Sequence, residues 1–250
     1  MTAGTPPVLI EKIHDLSGAT GDELVHVPDT ATALVFRTTA AGHSDLLVVG
    51  PRTRASYHAG KDLPVCLKIR LTPGTARPLL GLPISELVDR VTPLADLWGD
   101  SAVRLERRLA DLDGDCDLIL KHLGTALQAR IGMLPRDDLA CGRLVRTAAT
   151  ALSARRPARL PDLARRLAVS ERHLRHLLTE GTGLPPKSFA RTARLRHALT
   201  CGRARSARLA QLAAMAGYYD QSHMTAEFRS MMGVSPGAFF AGRLPALQPC

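Results

Sequence analysis

Two stretches about 50 residues apart are written to the same plan, and this repeat constrains the chain more than any other feature. In the first, "LPDLARRLAVSERHLRHLLTEGTGLPP", Pro161 suits a first helical turn, and Leu163, Ala164 and Leu167 form an inward stripe. Ala168 and Val169 make a tight turn, and Ser170 can cap the next helix by accepting a bond from an orphan N–H. That helix puts Leu174, Leu177 and Leu178 on one face, and Arg172, Arg175 and His176 on the other. In the second stretch Leu209, Leu212, Ala213 and Ala216 form the stripe, Gly217 the turn, Tyr218 an apolar plug and Asp220 the cap. A helix over 221–232 follows and ends at Gly233, with Met224, Phe228 and Met231 facing in. Its other face carries Gln221, Ser222, Thr225 and Arg229, mostly short hydrogen-bonding groups rather than charge. "KSFARTARLRHALTCG" reads as a helix that joins the two units rigidly, and "ACGRLVRTAATALSARR" as one that precedes them, with Leu144, Ala148 and Leu152 in a stripe.

The same region holds all the excess charge. Residues 151–250 contain 16 Lys and Arg against 5 Asp and Glu, whereas residues 1–100 contain 9 against 11. A basic half beside a neutral one points to a polyanionic partner for the C-terminal part. Arginine-rich usage (28 Arg, 5 Lys) also fits a solvated basic face, so charge alone leaves both readings open.

Upstream the pattern is different. "ELVHVP", "TALVFR" and "DLLVVG" are short Val- and Leu-rich runs separated by turn material, including "GPRTRAS". "PVCLKIRL" alternates, with Val65, Leu67, Ile69 and Leu71 on one face and Cys66, Lys68 and Arg70 on the other, the period of a half-buried strand. Short helices follow Pro73-Gly74, and 101–128 is helical around "DLDGDCD". The expected fold is α+β: a small curved sheet or barrel with helices, then an all-α domain of two lobes. The divisions are 1–100 for a sensor or dimerisation domain, 101–136 for a helical linker, 137–243 for the two-unit domain and 244–250 for a tail.

Those two units resemble the AraC/XylS-type transcriptional regulators. The match lies in "LARRLAVSERHLRHLLTEGTGLPPKSFARTARLRHAL" and in the A-x-x-x-G-Y, D-Q-S-H, E-F-R and G-V-S-P elements of "LAQLAAMAGYYDQSHMTAEFRSMMGVSPGAF", over about 137–243. The resemblance implies a seven-helix DNA-binding domain whose two recognition helices enter successive major grooves of double-stranded DNA. It places Arg172, Arg175 and His176, then Gln221, Ser222 and His223, at base-reading positions, with Thr225 and Arg229 on the same surface. Ala226 stands where many relatives carry Arg, which implies weaker discrimination by the second unit; Ala168 stands where Gly is frequent. Side-chain chemistry agrees: Arg can contact guanine in bidentate fashion, Gln can do so with adenine, and Ser or Thr can bond several base edges. Arg165, Arg166, Arg191, Arg194 and Arg208 are candidates for phosphate contact. The N-terminal region resembles the domain ahead of this one in a group of actinobacterial regulators.

Other chemistries fit the residues poorly. The alternating Asp111, Asp113, Asp115 and Asp117 lack the glycine and glutamate that a calcium loop needs. His43, His58 and Cys66 have no metal-ligand spacing, and no Ser/His/Asp set, phosphate loop or carboxylate pair marks an enzyme; a DNA-repair alkyl-transfer protein with a regulator domain is the enzymatic alternative, but none of the cysteines sits in the P-C-H-R-like setting it needs. The five scattered cysteines, Cys250 among them, form no C-x-x-C, which suits a reducing cytoplasm. No cofactor, metal, membrane or signal segment is expected. RNA polymerase as a second partner, a small-molecule effector, a homodimer, and a co-regulator that grips polymerase without reading DNA stay open.

Overall fold

The computed structural model describes residues 9–18, 23–204 and 208–248. Five strands make an antiparallel sheet in the order β1 (Ile10–Asp15), β6 (Val65–Leu71), β3 (Ala33–Thr38), β4 (Ser44–Val49), β7 (Val91–Pro93). The other two, β2 (Glu23–His26) and β5 (Ser56–Ala59), pair as a separate ribbon. The register puts Leu34, Phe36, Leu46, Val48, Leu67 and Ile69 on one face of the sheet, and all six are buried.

Three helices close that face: α1 (Ala76–Leu80), α3 (Asp100–Ala110), reached through the short α2 (Ala95–Trp98), and α4 (Cys116–Gly132). Leu105 and Leu109 of α3 and Ile119, Leu123, Leu127 and Ile131 of α4 share one core with the sheet. The Leu46 N–H donates to Glu106 at 2.8 Å, so α3 also caps β4. The helices within 101–136, read from the sequence as a linker, turn their apolar stripes into the core of the sheet. Trp98 donates to the Leu79 carbonyl at 3.1 Å, under the Arg130 guanidinium.

The remainder is helical: α5 (Arg136–Ser153), α6 (Leu160–Arg166), α7 (Glu171–Thr182), α8 (Pro186–Ala204), α9 (Leu209–Ala216), α10 (Gln221–Met232) and α11 (Pro236–Phe240). The first lobe packs Ala148, Leu152, Leu163, Leu174, Leu178 and Phe189 together. The second packs Leu195 and Leu199 of α8 against Phe228, Met231, Met232 and Phe239, with Leu212, Ala216, Tyr218 and Met224 beside them. The 19-residue α8 spans about 28 Å and belongs to both lobes.

The N-terminal half grips both lobes. Gly74 and Gly142 meet so closely that a Cβ on Gly74 would lie 2.1 Å from the Gly142 carbonyl oxygen, so only glycine fits there. Arg77 faces Asp138 at 3.7 Å and Glu180 at 3.8 Å. At the second lobe Val25, Val27 and Ala55 of the ribbon region pack against the Phe228 core. Two hydrogen bonds then cap the C-terminal end of α10: Ala55 N–H to the Met231 carbonyl at 2.7 Å, and the Tyr57 hydroxyl to the Met232 carbonyl at 2.6 Å. These are carbonyls that a helix cannot satisfy from within. Gln248 returns along the ribbon and donates to the Tyr57 carbonyl at 2.7 Å. Among the described residues no helix is long and apolar enough to cross a membrane.

Candidate nucleic-acid interface

The two helix-turn-helix units have the same backbone chemistry. In the first, Ala168 takes a left-handed φ of 53°, and the Val169 N–H reaches back to the Ala164 carbonyl at 3.1 Å. In the second, Gly217 has φ 79°, and the Tyr218 N–H reaches the Ala213 carbonyl at 2.9 Å. This six-residue closure lets the chain reverse into the next helix without leaving buried carbonyls unpaired. Each following helix is capped by a side chain: Ser170 accepts from His173 N–H at 3.1 Å, and Asp220 from His223 N–H at 2.7 Å. Glycines at φ 78° (Gly183) and φ 75° (Gly233) end them.

The outer faces of α7 and α10 are open. Arg172, Arg175 and His176 are all exposed, and Thr179 is half-buried one turn further on. Arg175 donates Nε to Glu171 at 3.1 Å, an exposed pair within one helix that contributes at most a few tenths of a kcal/mol and yields readily to a base. On α10 Gln221, Ser222, Ala226 and Arg229 are exposed and Thr225 is half-buried; at 100° per residue they share one face. His223 lies at its margin, Nε2 3.5 Å from Glu227.

The five phosphate-contact candidates separate into two groups. Arg165, Arg166 and Arg208 are exposed, with Arg165 paired to Asp162. Arg191 and Arg194 turn inward onto Glu227, at 3.4 and 3.9 Å. Arg194 also lies over the Tyr218 ring, 5.2 Å from its centroid. Burial, then the Glu227 carboxylate, pushes the Tyr218 phenol well above its ordinary pKa, so it stays protonated. Glu227 is thus the hub behind the second reading face, and sequence reasoning missed it. The signal was present: Glu227 stands four residues after His223, and Arg191 and Arg194 stand three apart on one face of α8. Tyr219 was missed too; it is 93 % exposed immediately before the Asp220 cap.

Other residues weighed in the sequence stand elsewhere. His43 sits in the β3–β4 turn beside Asp45, His58 on the ribbon and Cys66 inside the sheet. Cys250 lies outside the described residues.

Residues 163–242 match a family model described as a helix-turn-helix domain. A search of curated protein sequences finds no match. Solved structures similar to this chain include the DNA-binding domain of AdpA, a global transcriptional factor, in complex with a target DNA. It is 22% identical over 41% of this chain and 90% of that one, with a TM-score of 0.36. An AraC-type regulator from Chromobacterium violaceum is 24% identical over 39% and 89%, with a TM-score of 0.36. ToxT from Vibrio cholerae is 13% identical over 94% of this chain and 98% of its own, with a TM-score of 0.44.

Proposed function

We propose that this chain, whose residues 163–242 match a helix-turn-helix domain, is an AraC-type DNA-binding transcriptional regulator that reads a bipartite promoter site with α7 and α10. The observation that carries the reading is the pair of capped helices whose polar faces lie open on the basic half of the chain. Arg172, Arg175 and His176 read one half-site; Gln221, Ser222, Thr225 and Arg229 read the other, with His223 at its edge. Arg165, Arg166 and Arg208 hold phosphates and set the register. Arg191 and Arg194 act through Glu227 by fixing the pose of α10. The N-terminal half, docked on both lobes, fixes their relative position, and a ligand that binds two such arrangements unequally shifts DNA affinity. The protein works in the cytoplasm, where its DNA is.

Selection from random double-stranded DNA tests this, with wild type, Arg175→Ala and Gln221→Ala in parallel. The expected motif has two half-sites about one helical turn apart, and each substitution blurs only its own half. Enrichment of no sequence by any of the three proteins, at any salt concentration, would sink base reading and leave a polymerase-gripping co-regulator as the better account.

A further inference from the structure

Each reading helix is held at its far end by a segment of the N-terminal half. At the end of α7, the 3-10 turn Ile84–Leu87 and the Val88 after it press on Gly183. A Cβ on Gly183 would stand 2.9 Å from the Ile84 carbonyl oxygen and 2.9 Å from a Val88 methyl. Val88 also packs against the first-lobe core. At the end of α10, Ala55 and Tyr57 supply the two capping bonds to Met231 and Met232.

These two segments are fastened to each other. The Gly50 N–H donates to the Arg90 carbonyl at 3.0 Å, and the Asp89 N–H to the Pro51 carbonyl at 2.8 Å. The Asp89 carboxylate then accepts from both donors of Thr53, the backbone N–H at 2.7 Å and the hydroxyl at 2.5 Å. Bonds to a carboxylate are stronger than neutral ones. Asp89 makes them from a left-handed φ of 58°, a conformation that aspartate tolerates better than most residues. The same strip has a foot on α8. Asp29 and Arg52 exchange backbone bonds of 2.9 and 2.8 Å, and the Asp29 carboxylate holds Arg196 of α8 at 3.0 Å. A chain of direct contacts therefore runs from the end of α7, through Val88, Asp89 and Thr53, to the end of α10.

The start of α10 is held from the first lobe. Arg155, in the loop between α5 and α6, donates to the Ala214 carbonyl at 3.3 Å, and its own carbonyl oxygen would lie 2.6 Å from a Cβ on Gly217. A helix pinned at one end can swing about that end; pinned at both, it cannot. With 12 residues α10 is about 18 Å long, so a swing of roughly 10° about its start moves its last turn by about 3 Å, close to the rise between successive base pairs.

We infer that Asp89, through its two bonds to Thr53, is a positioning residue that fixes the separation of α7 and α10 and thereby selects the spacing of half-sites that the protein accepts. It acts through the bridge and not on a base edge. The consequence for DNA rests on the two-helix reading above, whereas the separation itself is measured without DNA, so either idea can fail alone.

The test uses the full chain with spin labels on ketone-bearing residues at positions 172 and 229, both exposed, and reads the distribution of label separations by double electron–electron resonance. Wild type should give one narrow distribution. Asp89→Gly allows the same backbone angle and removes both carboxylate bonds, and it should roughly double the width. Thr53→Val keeps the backbone bond and should widen the distribution less. Asp113→Gly, at an aspartate that is also left-handed (φ 47°) but outside the bridge, should leave it unchanged. The unlabelled proteins then bind duplexes whose half-sites stand one base pair nearer or farther than the selected spacing. Wild type should prefer its own spacing by at least about tenfold, and Asp89→Gly by no more than about threefold. A wild-type width in Asp89→Gly, equal widening in Asp113→Gly, or an unchanged spacing preference beside a widened distribution would each overturn the assignment. Selection of no sequence by wild type would overturn base reading instead, and the label separations would still decide whether Asp89 holds the two helices.

Discussion

The hydroxyl of Tyr57 donates to the carbonyl of Met232 across 2.6 Å and 175 residues of sequence. Tyr57 is buried, so Tyr57→Phe leaves that carbonyl without a partner and without water. The expected cost is about 1–2 kcal/mol, a fall in melting temperature of about 2–8 °C for a chain of this size. The reading faces are untouched, so the salt dependence of DNA binding should stay the same. A melting curve that overlays wild type would mean the bond is not made in solution.

Glu227→Gln should move stability and affinity in opposite directions. The amide keeps the volume but leaves Arg191 and Arg194 without a counter-charge behind the second reading face. Complete loss of a buried pair costs about 3–5 kcal/mol; these contacts are long and Arg191 is partly exposed, so about 1–2 kcal/mol is expected in urea melts. Two uncompensated guanidiniums beside DNA should tighten binding and steepen its salt dependence by up to about two counterions. Anisotropy titrations between about 50 and 200 mM salt check this; weaker binding with a shallower slope would contradict it.

Ala168→Gly should stabilise. A φ of 53° presses an alanine Cβ toward its own carbonyl, which costs about 1–2 kcal/mol, whereas the equivalent turn at Gly217 avoids it. Glycine returns part of that gain through a freer unfolded chain, leaving about 0.5–1 kcal/mol, visible as a modest rise in the urea midpoint. No change, or a loss, would mean that the turn relaxes in solution.

Acid should weaken the N-terminal half through His26. Burial first, then Arg52, lowers its pKa from 6.5 to about 4. A base with a depressed folded pKa is protonated first in the unfolded chain. Its neutral native form therefore contributes stability above pH 6.5, and this is lost as pH falls from 6.5 to about 4. Water still reaches part of the ring, so the loss is no more than about 2 kcal/mol. Urea melts at pH 7 and pH 4.5 should show this difference shrink in His26→Asn; an identical drop in both proteins would remove His26 as its source.

The tandem units were legible because their signals are local. A cap, a left-handed turn and a 3.6-residue stripe each fall within a dozen residues, and Ser170, Asp220, Gly217 and Gly233 all do what their positions imply. The N-terminal half was harder because its contacts are distant in sequence. Strand β1 hides behind a register shift between Ile10 and Lys12, which spoils its alternation. Strand β5 begins in what reads as turn material, and nothing near Ser56 announces that its partner lies at His26. Strand β6 reads as half-buried, yet Cys66 and Arg70 on its second face are buried as well, and alternation within one strand cannot show what covers that face. Glu227 was passed over for a related reason: its cationic partners are on another helix.

The ribbon is shared property. By sequence it belongs to the N-terminal half, yet it caps the last turn of α10, so the boundary usually drawn between a regulator's two halves does not cut cleanly here. A chimera that joins this chain's residues 137–250 to a foreign N-terminal half would lose Ala55 and Tyr57 and leave the Met231 and Met232 carbonyls bare. To transplant the reading head intact, an engineer would have to carry Glu23–His26 and residues 55–59 along with it.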